Sequence, residues 1–369
     1  AAVEAEAAVE AEAAVEAEAA VEAEAEEEVE LVDDGWSGTR LVRLRRASPG
    51  VVHVLDDAVP AGLAHEVYEH TLSAGHSWGT YVTLAEARAS AQGEISSGGE
   101  AGWSRDKQLA AQLVRALWMD PPDGAAAALL AAEEHRVHGF ALWANAATQG
   151  EECAYHLDYA ELHRRRRNTL HPPLLASTVH VTDLVAAGGT MGGGEFGVNT
   201  GGLSHYLRFG HHGVLARAEP HALERDWVAG AAAGWVKVEY RFRRAILFDG
   251  ELPHRSGAVH SLPAVGVKRV VVGINVFDTT VGPHVSGAPV HSDAYRAAMG
   301  ELQCFRAVPL SEQGRGPRYD MVPVAGGENG RDARVPCAQC GAAAATLAHG
   351  DLMLCGVACL KAARRRSKP

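Results

Sequence analysis

The feature that most constrains the fold is a change of pattern after Glu134. From there to Phe277 the chain is a series of short apolar runs separated by glycine-rich turns, which is typical of β-strands. A short strand-like run, Val51 to Leu55, and three helix-like stretches come before it: Ala61 to Leu72, Lys107 to Trp118 and Ala125 to Glu134. Helices followed by many strands predict a mainly β fold with flanking helices, of the α+β class.

The rest of the chain divides into segments of different composition. Residues 1–24 are four copies of Ala-Ala-Val-Glu-Ala-Glu, and this six-residue period gives a helix no apolar stripe. We therefore expect residues 1–34 to be an acidic tail without a packed fold. The globular domain is predicted over residues 36–305, a linker rich in Gly, Pro and charge over 306–335, and a small cysteine module over 336–366. Gly188 to Gly194 and Gly282 to Gly287 are predicted as turns.

Charge and hydropathy exclude some classes of function. The first 34 residues carry fourteen carboxylates and no Lys or Arg, which leaves 34 basic against 32 acidic residues in the remainder. This balance predicts no nucleic-acid or membrane partner. The longest apolar run, Ala125 to Ala132, has eight residues, too short to span a bilayer. No basic-then-apolar segment opens the chain, so we expect no signal peptide there.

The most informative segment for chemistry is the stretch around His156 and Asp158. In a strand, residues two apart lie on the same face, so this imidazole and this carboxylate can both reach one metal ion. His-x-Asp alone is a common pattern, and it requires a third ligand to indicate a site.

His254 is the candidate for that third ligand, because it follows the apolar strand Ala245 to Phe248. Two histidines and one carboxylate leave open coordination positions, the arrangement that suits non-haem Fe(II) and oxygen activation. Arg269 opens the apolar run that ends at Phe277. A buried guanidinium requires an anionic partner, and a dicarboxylate cosubstrate would provide one.

With these residues in this order, the sequence resembles the Fe(II)/2-oxoglutarate-dependent dioxygenases, particularly the prolyl 4-hydroxylase-like branch. The resemblance covers about residues 50 to 280. Four further segments contribute to it: Val54 to Val59 with the helix that follows, Gln149-Gly150, Gly193 to Val198, and Gly266 to Arg269.

The resemblance implies a double-stranded β-helix, or jelly roll, with His156, Asp158 and His254 as ligands of Fe(II) and Arg269 holding the distal carboxylate of 2-oxoglutarate. It further implies O2 as oxidant, ascorbate as reductant, and release of succinate and CO2. Halogenating relatives replace the carboxylate ligand with a small residue, so Asp158 favours hydroxylation. The substrate is unidentified, and a protein substrate is plausible by analogy.

Several alternatives stay open at this point. His260 is the main rival of His254, and an insertion over Ser204 to Gly234 adds further histidines, among them His205, His211 and His212. The basic run Arg164 to Arg167 is either a substrate-attracting patch or a solvated face. Tyr155 and Tyr159 are predicted to face away from the metal ligands. Asn275 lies on the same face of its strand as Arg269, and a position in the pocket or in the core explains it equally well.

Four cysteines near the end of the sequence form two close pairs. They are Cys337, Cys340, Cys355 and Cys359, and four thiolates at this spacing predict a closed, structural Zn(II) site. The pattern resembles MYND- or FCS-type zinc ribbons, which implies a protein partner for this module. Reduced cysteines predict an intracellular protein, in the cytoplasm or the nucleus.

Two other functions are compatible with the same residues. In the first, the barrel is a non-catalytic scaffold and the zinc module binds a partner. In the second, the chain is a cupin-like metalloenzyme that does not use 2-oxoglutarate, and Arg269 pairs with a carboxylate of the protein itself.

Overall fold

The computed structural model describes residues 30–33, 40–74, 77–92, 103–122, 124–167, 169–209, 221–302, 305–310, 318–323, 347–349 and 352–354. Its strands are β1 Glu30–Asp33, β2 Arg40–Arg43, β3 Val52–Leu55, β4 Ser77–Thr83, β5 Val137–Ala147, β6 Cys153–His156, β7 Thr169–Leu170, β8 Leu175–His180, β9 Gly192–Gly193, β10 Phe196–Asn199, β11 Trp235–Val238, β12 Ala245–Asp249, β13 His254–Ser256, β14 Val259–Ser261, β15 Arg269–Asp278, β16 Phe305–Leu310, β17 Arg318–Pro323, β18 Leu347–His349 and β19 Leu352–Leu354.

Its α-helices are α1 Ala61–Ser73, α2 Leu84–Ala91, α3 Arg105–Val114, α4 Ala125–Glu133, α5 Glu161–Arg167, α6 Gly202–Phe209, α7 Ala222–Ala229, α8 Gly282–Gly287 and α9 Asp293–Leu302. A π-helical turn, Arg115–Met119, continues α3, and 3-10 turns follow α4 and α7 at Glu134–Arg136 and Gly230–Ala233. Among the described residues, no helix combines the length and the apolar character that crossing a bilayer requires.

Two antiparallel sheets form the centre of the molecule. The larger has the order β3-β12-β8-β15-β5-β4 and the smaller the order β11-β10-β13-β6. Along the chain, β5, β8, β12 and β15 of the larger sheet alternate with β6, the pair β10 and β11, and β13 of the smaller one. This connectivity is consistent with a jelly roll. The predicted combination of a mainly β core with flanking helices is confirmed.

Helices α1, α3 and α4 cover the outer face of the larger sheet. Leu109, Leu113 and Trp118 from the α3 region lie in one apolar cluster with Val272 and Ile274 of β15, all of them fully buried. Local signals start the helices: the Thr83 hydroxyl and Glu86 form a capping box on α2, and the Ser104 hydroxyl caps α3. The stretches predicted as helices before Val137 are α1, α3 with its π turn, and α4.

Alternation along β15 decides which side chains face the space between the two sheets. Residues of one parity, such as Val270 and Val272, belong to the cluster beneath the helices. The residues that alternate with them, among them Arg269, Gly273 and Asn275, lie on the opposite face of the strand. A Cβ built on Gly273 would lie 2.5 Å from the Trp143 ring inside the barrel. The start of β15 therefore directs Arg269 inward, and its later part directs Asn275 inward.

Some elements differ from the sequence predictions. Gly282–Gly287, predicted as a turn, is helix α8, because Pro283 suits a first helical turn and Val285 is buried against Phe277. Glu30–Asp33, at the end of the predicted tail, pairs with β2. In the segment predicted as a linker, β16 pairs with β17 as an antiparallel hairpin. The insertion within 204–234 contains the helix α7 and most of α6.

Candidate metal site

Two neighbouring strands of the smaller sheet bring three predicted ligands together. His156 is the last residue of β6 and His254 the first of β13, and the two are paired directly across the antiparallel ladder. Asp158 follows β6 by two residues. One potential ligand atom from each of the three side chains lies within 4.8 Å of the other two. Among the described residues, no other group of His, Cys, Asp and Glu is arranged in this way.

Backbone hydrogen bonds hold both imidazoles in one orientation. The Nδ1 atom of His156 lies 2.7 Å from the Ala154 carbonyl oxygen, and that of His254 lies 3.1 Å from the Leu252 carbonyl oxygen. Because a carbonyl only accepts, each Nδ1 is a donor, which leaves each Nε2 as the ring nitrogen that faces Asp158 and is available to a metal. The two Nε2 atoms lie 3.4 Å and 3.6 Å from the Asp158 carboxylate, so all three donor groups converge.

Electrostatics favour the protonation states that a cation requires at Asp158 and His254. Burial raises the pKa of Asp158, but His254 and His156 beside it, together with a hydrogen bond from Asn275, lower it to about 2. Burial and the neighbouring His156 lower the pKa of His254 to about 4. At neutral pH the metal-free site therefore contains a carboxylate anion and a neutral His254. Burial lowers the pKa of His156, but Cys153 and Asp158 beside it raise that pKa well above its usual value, so His156 must release a proton when a metal binds.

Asn275 supports the carboxylate ligand from the opposite sheet. This residue of β15 is 3% exposed, and its side chain hydrogen-bonds to Asp158. Because a carboxylate only accepts, the amide NH2 is the donor, which fixes how the amide is turned. Its carbonyl oxygen, Oδ1, is buried and has no hydrogen-bond partner within the described part of the chain. Strand parity places Asn275 on the inner face, but the sequence contains no signal for its contact with Asp158.

Arg269 lies inside the same barrel, at the start of β15. It is 3% exposed, and its Nη1 donates to the Gly194 carbonyl oxygen at 3.0 Å, whereas its buried Nε has no partner. Among the described residues, no carboxylate lies within ion-pair distance of its guanidinium. Burial lowers its pKa, although nearby Tyr240, Cys153 and acidic residues oppose that effect. A buried cation with an unpaired donor fits an anionic ligand.

The other histidines considered from the sequence lie elsewhere or outside the described residues. His260 is exposed on β14. His205 on α6 bonds to the Tyr155 hydroxyl at 2.7 Å and to Asp226 at 2.8 Å, within an aromatic cluster on the outer face of the smaller sheet. His211 and His212 are outside the described residues, as are Cys337, Cys340, Cys355 and Cys359, so the zinc module stays a prediction.

Tyr155, Tyr159 and the basic run on α5 all lie near the metal ligands in the sequence. Tyr155 points away from the ligands, as predicted, whereas Tyr159 lines the cavity beside them. The basic run on α5 is mostly solvated: Arg165, Arg166 and Arg167 are exposed, and Arg165 pairs with Glu161 at 3.1 Å. This arrangement matches the solvated-face interpretation.

A cavity of about 230 Å³ adjoins the metal ligands on the side of the helices α8 and α9. His156 and Asp158 form part of its wall, together with Asn275 and residues of β5, α5, α8 and α9. Neither His254 nor Arg269 lines it. The site is thus accessible from a side that Arg269 does not face.

Comparisons with known proteins give similarities of overall structure only. No protein-family model matches the chain, and no curated protein matches it. A prolyl-4-hydroxylase from Pseudomonas putida aligns over 63% of this chain and 94% of its own, at 14% identity and a TM-score of 0.33.

Two other solved structures give similar values. HygX from Streptomyces hygroscopicus, with nickel and 2-oxoglutarate bound, covers 62% of this chain and 82% of its own, at 13% identity and a TM-score of 0.34. SnoN, a non-heme alpha-ketoglutarate-dependent epimerase from nogalamycin biosynthesis, aligns over 73% of this chain and 90% of its own, at 16% identity and a TM-score of 0.34. The structural neighbours therefore include 2-oxoglutarate- and Fe(II)-dependent oxygenases, at low sequence identity.

Proposed function

We propose that this chain is an Fe(II)- and 2-oxoglutarate-dependent oxygenase that hydroxylates its substrate and releases succinate and CO2. The observation that carries the proposal is the combination, inside one barrel, of the convergent His156, Asp158 and His254 with a buried Arg269 that has an unpaired donor. Two imidazoles and one carboxylate are the donor set that suits non-haem Fe(II).

Each residue has a distinct part in this proposal. His156 and His254 would bind the metal through Nε2, since their Nδ1 atoms donate to backbone carbonyls. Asp158 would supply the anionic ligand, and Asn275 holds its carboxylate in place. Arg269 would bind the distal carboxylate of 2-oxoglutarate through its free Nε. Bound Fe(II) supplies oxygen activation coupled to decarboxylation of the cosubstrate, with ascorbate as external reductant.

The surroundings of Arg269 favour this proposal over a metalloenzyme that does not use 2-oxoglutarate. In such a metalloenzyme, Arg269 would pair with a carboxylate of the protein, yet its guanidinium donates to the Gly194 carbonyl oxygen. A guanidinium buried without a counter-charge costs folding energy unless a ligand neutralises it. The position of Arg269 therefore suits ligand binding better than structural pairing.

The test is 2-oxoglutarate binding under anaerobic conditions with Fe(II), measured by isothermal titration calorimetry on wild type and Arg269→Leu. We expect the variant to bind about ten- to hundredfold more weakly, the effect of losing hydrogen bonds to a charged group. Its unfolding free energy without cosubstrate should stay equal or rise, because an apolar side chain replaces an unpaired buried charge.

The matched control is Arg241→Leu, since the exposed Arg241 pairs with Asp56 at the surface. This variant should bind 2-oxoglutarate like wild type. Unchanged affinity in Arg269→Leu together with a large loss of stability would instead favour a structural role for Arg269 and remove the main support for the proposal.

A further inference from the structure

We infer that the cavity between Asp158 and the helices α8 and α9 is a substrate site for a small, uncharged molecule that donates a hydrogen bond to Asn275 Oδ1. This inference rests on the proposed function, because it assigns a substrate class to the same metal centre. It differs from a hydroxylase that acts on a polypeptide.

The size of the cavity sets the size of its occupant. Its volume is about 230 Å³. Sites for drug-sized ligands usually measure about 300–1,000 Å³, so this one accepts a smaller molecule. His156 and Asp158 at one wall place such a molecule directly beside the metal ligands.

Helix α8 and the connection between α8 and α9, which line one side of the cavity, pack tightly onto the barrel. A Cβ on Gly79 of β4 would lie 1.7 Å from the Val290 carbonyl oxygen, in the connection between α8 and α9. A Cβ on Gly282, the first residue of α8, would lie 2.4 Å from the His138 side chain. Val281 and Val285 are buried against Tyr81 and the strands. This segment is thus packed closely over the cavity.

The lining offers little charge to a ligand. The described residues of the lining include no Lys or Arg. Burial and the neighbouring His171 and His284 lower the pKa of His163 to about 4, and burial together with Arg296 lowers the pKa of His291, so both are neutral at pH 7. The carboxylate of Glu161 already has Arg165 as a partner at 3.1 Å. The remaining carboxylate, Asp158, is a ligand of the proposed metal, so with the metal bound a charged molecule would lose its hydration here without gaining a counter-ion.

Asn275 supplies the specific contact. Its amide NH2 is committed to Asp158, so its Oδ1 can only accept, and this buried oxygen has no partner among the described residues. An unsatisfied buried acceptor is costly, and a ligand N–H or O–H in the cavity would satisfy it. The same side chain would then hold both the metal-binding carboxylate and the substrate.

The experiment uses four probes of one shape on the full chain: benzamide, methyl benzoate, benzoate and benzylammonium. Dissociation constants are measured by ligand-observed NMR titration. We expect benzamide, uncharged and with N–H donors, to bind best. Methyl benzoate lacks the donor and should bind about three- to tenfold more weakly, the usual effect of one neutral hydrogen bond. Both charged probes should bind at least as weakly as methyl benzoate.

Two variants connect this binding to the cavity. Asn275→Leu should abolish the preference of benzamide over methyl benzoate while methyl benzoate still binds. Ala288→Trp, which fills the cavity from the partly exposed connection after α8, should abolish binding of both. Circular dichroism of each variant checks that the fold is retained, and Val265→Trp, at a fully exposed position, is the matched control.

The inference is overturned if wild type does not bind benzamide, if benzoate or benzylammonium binds as well as benzamide, or if Ala288→Trp binds like wild type. These outcomes are independent of turnover. Benzamide binding without any succinate release would refute the proposed oxygenase and leave the cavity assignment standing, whereas succinate release without benzamide binding would refute the cavity assignment alone.

Discussion

Burial decides the protonation of His180, at the end of β8. It is 1% exposed and stacks on Tyr240, with ring centroids 4.2 Å apart. Its Nδ1 accepts a hydrogen bond from the Arg241 backbone N–H at 3.2 Å. Burial and the nearby charge of Arg269 lower its pKa to about 3. His180 is therefore neutral in the folded protein throughout the physiological pH range.

This protonation state predicts a loss of stability in mild acid. The folded-state pKa lies below the unfolded value of about 6.5, so the stabilising contribution is present above pH 6.5 and is lost as the pH falls towards 3. At pH 5, His180 is protonated in the unfolded state but not in the folded state. This difference alone should lower the free energy of unfolding by about 2 kcal/mol relative to pH 7. In His180→Asn, which cannot titrate, urea unfolding at the two pH values should show a correspondingly smaller difference.

The control for this prediction is His53→Asn on β3, which removes one exposed imidazole. It should retain the wild-type difference in unfolding free energy between pH 7 and pH 5. If His180→Asn also retained that difference, burial of neutral His180 would not be a source of the acid sensitivity.

At the scale of elements, the contact of β4 with the connection between α8 and α9 depends on one missing side chain. Gly79→Ala places a Cβ against the Val290 carbonyl oxygen, and backbone cannot move aside as a flexible side chain would. We expect a loss of about 1–3 kcal/mol in unfolding free energy, the usual cost of overpacking. Chemical denaturation measures this change.

Gly62→Ala on α1 is the matched comparison, since a Cβ there meets nothing within 4 Å. In an exposed helix, Ala is favoured over Gly by about 0.5–1 kcal/mol, so this variant should be slightly more stable than wild type. Equal effects of the two substitutions would show that β4 and the α8–α9 connection do not pack as closely as the structure indicates.

Elements with a strong local pattern could be predicted from the sequence, whereas those made by tertiary contacts could not. The apolar run of β15 and the helices α1 and α3 follow from local apolar patterns, with Pro60 at the start of α1 and Ser104 as the cap of α3. Helix α8 contains two glycines and a proline, which locally favour a turn, and it forms where Val285 is buried against Phe277. The strand β1 forms because Glu30–Asp33 finds β2 as a partner.

At the scale of the whole molecule, the order of motifs along the chain contains more information than any one of them. His156 and Asp158 share a strand face by simple alternation, but only the pairing of β6 with β13 brings His254 to them. The contact of Asn275 with Asp158 depends on the separation of the two sheets, which no local pattern encodes. The same holds for the cavity, whose walls come from the barrel and the helices that follow it.

The most direct test of the oxygenase proposal is succinate release from 2-oxoglutarate by anaerobically purified protein given Fe(II), ascorbate and O2. We expect slow release without added substrate in wild type, and none when Fe(II) or O2 is withheld. Asp158→Ala, which removes the anionic ligand, should release none. A wild-type protein that binds iron but releases no succinate, even with cell extract as a source of substrates, would contradict the proposed function.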